Sequence, residues 1–301
     1  MPSPIRRLVA GVATLRPDDP ALVAGLRLAA RLGAELHLVH VAASAAGKPT
    51  PNALEKLRGA AERAAPGTLQ AGQVHCRVVT GLAEQRLLEA AAEADASLLV
   101  LGATRRTALA SAVLGTTASH VIRSSRLPVL VVREPLPDRP LRVLLTTDLS
   151  RHAAFTHFCG GGVARALCAP ETAEMRSLFV TTPVPGEPSV SRDHADVHAA
   201  RDLLDFLLAE VPPASSAPRV RRGGAAMEIV REAREWDADL LVLGTHGRRG
   251  VRRMFLGSVA ETVLQHAPCA ALVVPPLRPY RMEAHHAGAT AGVAATAAGG
   301  D

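Results

Sequence analysis

The sequence predicts an α/β chain built as two tandem domains, each a five-stranded parallel sheet flanked by helices. Three observations carry this reading. Short apolar runs alternate with longer amphipathic stretches along most of the chain, which is the pattern of strands joined by helical crossovers. The pattern is then written a second time. "SLLVLGATRR" (97–106) parallels "DLLVLGTHGRR" (239–249), and "RLPVLVVREP" (126–135) parallels "APCAALVVPP" (267–276). A repeat of this length is a duplicated domain and not a solenoid unit. Finally, "LLVLG" and "ALVV" are apolar throughout, as suits strands covered on both faces.

In the first repeat, "LVAGVA" (8–13) is a strand leading to the helical pattern "PALVAGLRLAARLG" (20–33), which a C-terminal glycine closes. "ELHLVHVA" (35–42) is strand-like and "NALEKLRGAAERAA" (52–65) helical. A strand "VHCRVV" (74–79), a helix "AEQRLLEAAAEA" (83–94) and a strand "SLLVLG" (97–102) follow. After a loop come the helix "TASHVIRSS" (117–125) and the strand "PVLVV" (128–132). The second repeat opens with "RVLLTTDLS" (142–150) and the helix "HAAFTHFCGGGVARALC" (152–168), which three consecutive glycines should weaken. It continues through a strand at 175–182, the longest helix at 193–211, a strand at 218–223 and a helix at 227–236. A strand at 239–244, a loop, a helix at 259–266 and a strand at 269–274 complete it.

The three prolines of "EPLPDRP" (134–140) form a short, stiff join. The expected domains are therefore residues 1–138 and 139–278. The segment 279–301, rich in Ala and Gly without apolar periodicity, reads as a disordered tail. The chain has 301 residues, enough for two cores, yet aromatics make up only 2%, so those cores must be Ala, Val and Leu. The net charge of +6 is spread along the chain with little aromatic surface for stacking bases, which disfavours nucleic acid as a partner. Cys76, Cys159, Cys168 and Cys269 are scattered without C-x-x-C pairs or histidine clusters. That spacing carries no metal set or disulfide framework and fits a reducing, cytoplasmic setting. No apolar run has the roughly 18 residues of a membrane span.

The stretch "GTHGRRGVRRMFLGS" (244–258) follows the fourth strand of the second repeat. Ligands of open parallel sheets bind beyond the carboxyl ends of the strands. Gly244 and Gly247 allow positive φ and close backbone approach. Gly257 and Ser258 open the last helix, whose free N–H groups favour an anion. Arg248, Arg249, Arg252 and Arg253 add positive potential over the same opening. Together these describe a phosphate cradle. Ser258 also begins Ser258-Val-Ala-Glu261, a capping box that would start the helix without any ligand. Asp148, at the end of the repeat's first strand, has a similar alternative as a cap of the helix that follows.

The spacing G-x2-G-x9-G-S, as Gly244, Gly247, Gly257 and Ser258, resembles the nucleotide-binding signature of the universal stress protein family. "RVLLTTDLS" resembles that family's opening strand, and the resemblance extends over both repeats, roughly residues 5–276. It implies tandem Rossmann-like domains of the adenine nucleotide alpha hydrolase type and a cytoplasmic stress-response role. It also implies ATP or a related adenine nucleotide such as AMP in the cleft, with Mg2+ accompanying ATP. By similarity, Gly244, Gly247, Gly257 and Ser258 would hold phosphates and ribose, Asp148 would face the adenosine, and backbone near Val180 and Leu243 would line the base. The family's domains associate through their last strands, so "PVLVV" and "CAALVV" are expected to face each other within one chain. A homodimer is a further option.

The first repeat departs from the pattern. Its loop has Gly102, then Arg105 where the second glycine should stand, then Gly115 and Thr116. No acid ends its first strand, and Asp18 and Asp19 come later. This half is expected to bind weakly or not at all. Hydrolysis needs a positioned base and usually metal ligands, and the loop offers only His246. The leading expectation is a non-enzymatic, nucleotide-binding sensor or regulator. A slow metal-dependent ATPase and a ligand-free interaction module are the alternatives.

Overall fold

The computed structural model describes residues 5–42, 52–66, 72–103, 114–168, 173–181, 218–245 and 256–275. Arg105, the helix expected at 193–211, Gly247, the loop arginines and the segment 279–301 lie outside the described residues. Among the described residues, the first half runs β1 (Arg7–Gly11), α1 (Pro20–Leu32), β2 (Glu35–Ala42), α2 (Ala53–Ala64), β3 (Val74–Thr80), α3 (Ala83–Glu93), β4 (Leu98–Gly102), α4 (Thr116–Ser124) and β5 (Val129–Val132). The second runs β6 (Arg142–Thr147), α5 (Arg151–Cys168), β7 (Glu174–Thr181), β8 (Arg219–Arg222), α6 (Ala225–Glu235), β9 (Leu240–Gly244), α7 (Ser258–His266) and β10 (Ala270–Val274).

The ends of these elements follow local chemistry. Pro20 occupies the first turn of α1, where its missing N–H costs nothing, and the Asp19 side chain accepts from the backbone of Ala21 and Leu22. Gly33 closes the helix in the left-handed conformation, at φ 60°. The duplication persists at this level. After α3 and α6, Asp95 (φ 46°) and Asp237 (φ 50°) take the same left-handed turn. The next N–H then reaches back to the helix in both halves, from Ala96 to Ala91 and from Ala238 to Ala233, each at 2.9 Å.

All ten strands join one sheet in the order β3-β2-β1-β4-β5-β10-β9-β6-β7-β8. Within each half the five strands are parallel; β5 and β10 meet antiparallel, with Val131 opposite Ala271, Leu130 opposite Leu272 and Val129 opposite Val273. The identical runs Leu98–Gly102 and Leu240–Gly244 take corresponding places, with their first four residues buried in each. Alternate strand residues feed two cores. Leu8, Ala10, Val143, Val242 and Leu272 face one, and Val9, Leu99, Leu144, Leu241 and Val273 the other. Both cores continue across the β5–β10 seam. Arg133, just past β5, reinforces it by donating to the carbonyls of Cys269 (3.0 Å) and Leu264 (2.8 Å).

One of the glycines expected to weaken α5, Gly160, is used in packing. A Cβ on Gly160 would lie 2.4 Å from Cγ1 of Val242 and 3.1 Å from Cγ2 of Val274. The bare backbone lets α5 settle onto β9 and β10, and the helix runs unbroken from Arg151 to Cys168. Tertiary contact thus overrides the weak intrinsic propensity.

Candidate functional site

From β6 the chain moves outward to β7 and β8, then returns to β9 and β10 on the other side. Strand order therefore reverses between β6 and β9, and their carboxyl ends diverge there. A cleft of about 90 Å³, open to solvent, occupies that point, lined among the described residues by Thr146, Asp148, Ala153, Thr156, Gly244, Thr245, Gly257 and Ala260. Of the residues expected at the site, Asp148, Gly244 and Gly257 line this cleft. Ser258 adjoins it as the first residue of α7. Val180 is partly buried on β7 and Leu243 is buried in the core, and neither is among the lining side chains. Gly247 lies outside the described residues.

The turn after β6 is organised around Asp148. Its Oδ1 accepts from the N–H of Ser150 at 3.0 Å, an Asx turn. The Ser150 hydroxyl then accepts from the N–H of Ala153 at 3.1 Å, which caps α5. Capping of α5, one of the two roles considered for Asp148, therefore belongs to Ser150. The intervening Leu149 has φ 61°, an uncommon conformation for a bulky residue, and the Thr147 hydroxyl accepts its N–H at 3.0 Å. With Oδ1 engaged, Oδ2 of Asp148 is buried and has no hydrogen-bond partner among the described residues. A buried carboxylate oxygen without a donor is costly. Asp148 itself lines the cleft.

Across the opening, the N–H of Gly257 donates to the carbonyl of Thr245 at 2.9 Å, bringing the start of α7 against the end of β9. A Cβ on Gly257 would sit 3.3 Å from that same oxygen, so this close approach favours glycine. Gly257 is also the N-cap of α7, since the N–H of Glu261 donates to its carbonyl at 2.9 Å. This corrects the capping box read from the sequence. Ser258 falls inside the first turn and makes no capping bond. Glu261 pairs instead with Arg123 of the other half, at 3.3 Å. The exposed Ser258 hydroxyl and the first N–H groups of α7 stand at the cleft mouth.

The first half handles its carboxylate differently. Although no acid directly ends β1, the chain loops back so that Asp19 supplies one. Its Oδ2 accepts from the N–H of Ala13 (3.1 Å) and from the N–H (2.8 Å) and hydroxyl (3.1 Å) of Thr14. Its Oδ1 accepts from Ala21 (3.0 Å) and Leu22 (3.1 Å). Both oxygens of this buried acid are occupied. Local spacing could not show it, because the partners depend on how the 12–19 loop folds.

Comparison with known proteins agrees with this architecture. The universal stress protein family matches residues 4–133 and 167–275. A universal stress protein of Synechocystis sp. is 50% identical over 77 residues, 25% of this chain and 50% of that protein. One from Mycolicibacterium smegmatis is 30% identical over 195 residues, 62% of this chain and 64% of that protein. The chain thus spans about half to two thirds of these relatives' lengths. The crystal structure of a putative universal stress protein from Pseudomonas aeruginosa UCBPP-PA14 has the same fold, at a TM-score of 0.71 and 19% identity, covering 90% of this chain and 94% of that one. With matches over both halves, separated by the proline-rich join, β6 and most of α5, the chain belongs to the universal stress protein family.

Proposed function

We propose that the second half binds one adenine nucleotide, ATP or a close relative, and that the protein acts as a stress-response sensor or regulator and not as a catalyst. The observation that carries this is the buried, unpartnered Oδ2 of Asp148, set in a cleft at the strand-order reversal. It is matched to ribose hydroxyls or a base amino group, which are hydrogen-bond donors. The start of α7, with Gly257 and Ser258, offers backbone N–H groups and a favourable dipole to phosphates. Gly244 and Gly247 are proposed to leave room for them, and backbone near Val180 and Leu243 to edge the base. Where ATP binds, Mg2+ would neutralise phosphate charge. We further propose domains at 1–138 and 139–278 that remain paired through β5 and β10 in solution.

The residues present fit such a ligand: an acceptor lacks its donor, and a helix N-terminus faces the same space. Among the described residues that line the cleft, Asp148 is the charged one. The test is titration calorimetry with ATP on the whole chain, together with mass spectrometry of small molecules released on denaturation. Asp148→Asn preserves the shape and can still form the Asx turn, but loses the carboxylate. It should weaken binding about 10- to 100-fold, the equivalent of one charge-assisted hydrogen bond. Unchanged affinity would remove Asp148 from the site, and steady metal-dependent turnover would replace the sensor reading with an ATPase.

A further inference from the structure

At the opposite end of the sheet from the nucleotide cleft, three ligand-type side chains converge. Glu35 and His37 lie two residues apart on β2 and so project from the same face of the sheet. His75 is the register partner of His37 on the neighbouring strand β3. Nε2 of His37 and Nε2 of His75 each lie 3.0 Å from the same oxygen, Oε1 of Glu35. The three donor atoms all fall within 4.8 Å of one another. The two rings stack at 4.8 Å between centroids, inclined by 23°.

We propose that Glu35, His37 and His75 form a divalent metal site of the zinc type. Two imidazole nitrogens and a carboxylate oxygen are a recognised ligand set for zinc, leaving a fourth position for water. In a tetrahedral site with bonds of about 2.0–2.2 Å, neighbouring donor atoms are about 3.3 Å apart; each imidazole nitrogen lies 3.0 Å from the carboxylate oxygen, and a small ring movement would close the remaining pair, which lies within 4.8 Å. Ion pairing alone leaves the cluster under-satisfied. Nε2 of His37 is buried, and its approach to Glu35 has no hydrogen-bond geometry. A single metal ion satisfies both nitrogens and the carboxylate together.

The consequence is mechanical. β3 is the edge strand and pairs only with β2, so a metal bridging His75 to Glu35 and His37 would staple the edge of the sheet. The site is independent of the nucleotide reading, since it lies on the other half, at the opposite edge of the sheet.

The test uses the full chain without a polyhistidine tag and without nucleotide, titrated with Zn2+ against a chromophoric chelator. One ion per chain should bind, and the melting temperature should rise with Zn2+ concentration. Replacing the half-exposed His75 with Gln should weaken the site by more than tenfold, since even outer partners of a metal ligand cost about 10–100-fold. Circular dichroism checks that the variant folds. Glu35→Gln, also solvent-accessible, provides a second variant should the first misfold. Co2+ bound to the wild type should show the intense visible absorption of four-coordinate histidine ligation. The proposal is overturned if no saturable Zn2+ binding occurs at micromolar concentrations. It is equally overturned if binding persists unchanged in a folded His75→Gln or Glu35→Gln variant.

Discussion

Asp148 and Asp19 are chemically identical, and their surroundings give them different capacities. Five donors saturate Asp19, leaving it a purely structural post, whereas Asp148 keeps one oxygen without a donor. Ser258 tests the same distinction between structure and ligand. Because Gly257 is the N-cap, Ser258→Ala should change stability by less than about 0.5 kcal/mol in urea denaturation, instead of the loss expected for a cap. If the hydroxyl touches phosphate, nucleotide affinity should nevertheless fall. A clear stability loss would return Ser258 to a capping role. His157 makes a separate residue-scale prediction. It is buried on α5, bonded through Nε2 to the Ser177 hydroxyl at 2.8 Å, and burial lowers its pKa from 6.5 to about 4. The unfolded chain takes up a proton at this ring below about pH 6.5, while the folded chain resists until about pH 4. Its contribution is therefore complete above pH 6.5 and declines toward pH 4, by about 3 kcal/mol in all. In His157→Gln, which retains a partner for Ser177, the fall in urea midpoint between neutral pH and pH 4 should shrink. An unchanged pH dependence would assign the acid sensitivity to other groups.

The fifth helix shows how an element draws its stability from its neighbours. Alanine at Gly160 would gain about 1 kcal/mol of helix propensity. It would also drive a methyl group into Val242, which is 1% exposed and has no space to yield. Overpacking of this kind costs about 1–3 kcal/mol, so Gly160→Ala should be net destabilising and should lower the thermal midpoint. A rise would mean that β9 can shift away. Since β9 ends in Gly244 at the cleft, the same displacement should weaken nucleotide binding as well.

For the whole molecule, one sheet of ten strands has a strand-order reversal in each half, between β1 and β4 and between β6 and β9, each with its own chemistry. Binding should be asymmetric, with about one nucleotide per chain by calorimetry. If bare backbone at the loop admits phosphate, Gly247→Arg should reproduce the first half's Arg105 and abolish that binding. A stoichiometry of two, or binding that survives Gly247→Arg, would reject a single site in the second half. Across the β5–β10 seam, Arg133 and the Arg123–Glu261 pair add polar contacts between the two halves of the sheet.

Most of the fold was legible in the residues. Alternating apolar runs, a repeated "LLVLG" and terminal Gly and Asp residues are local signals, and their periods and turn chemistry report directly on strands, helices and caps. Gly244 and Gly257, picked out by the glycine spacing, both line the cleft, since the ends of a strand and of a helix are marked by local residues. Tertiary structure alone decided what each polar atom meets. It moved the α7 cap from Ser258 to Gly257, gave the α5 cap to Ser150 and made Gly160 a point of close packing. It also carried Asp19 back to the end of β1 and set His75 beside His37 across two strands. These outcomes depend on contacts between residues far apart in the chain, and no local pattern encodes the partner of a side chain before the sheet brings the two together.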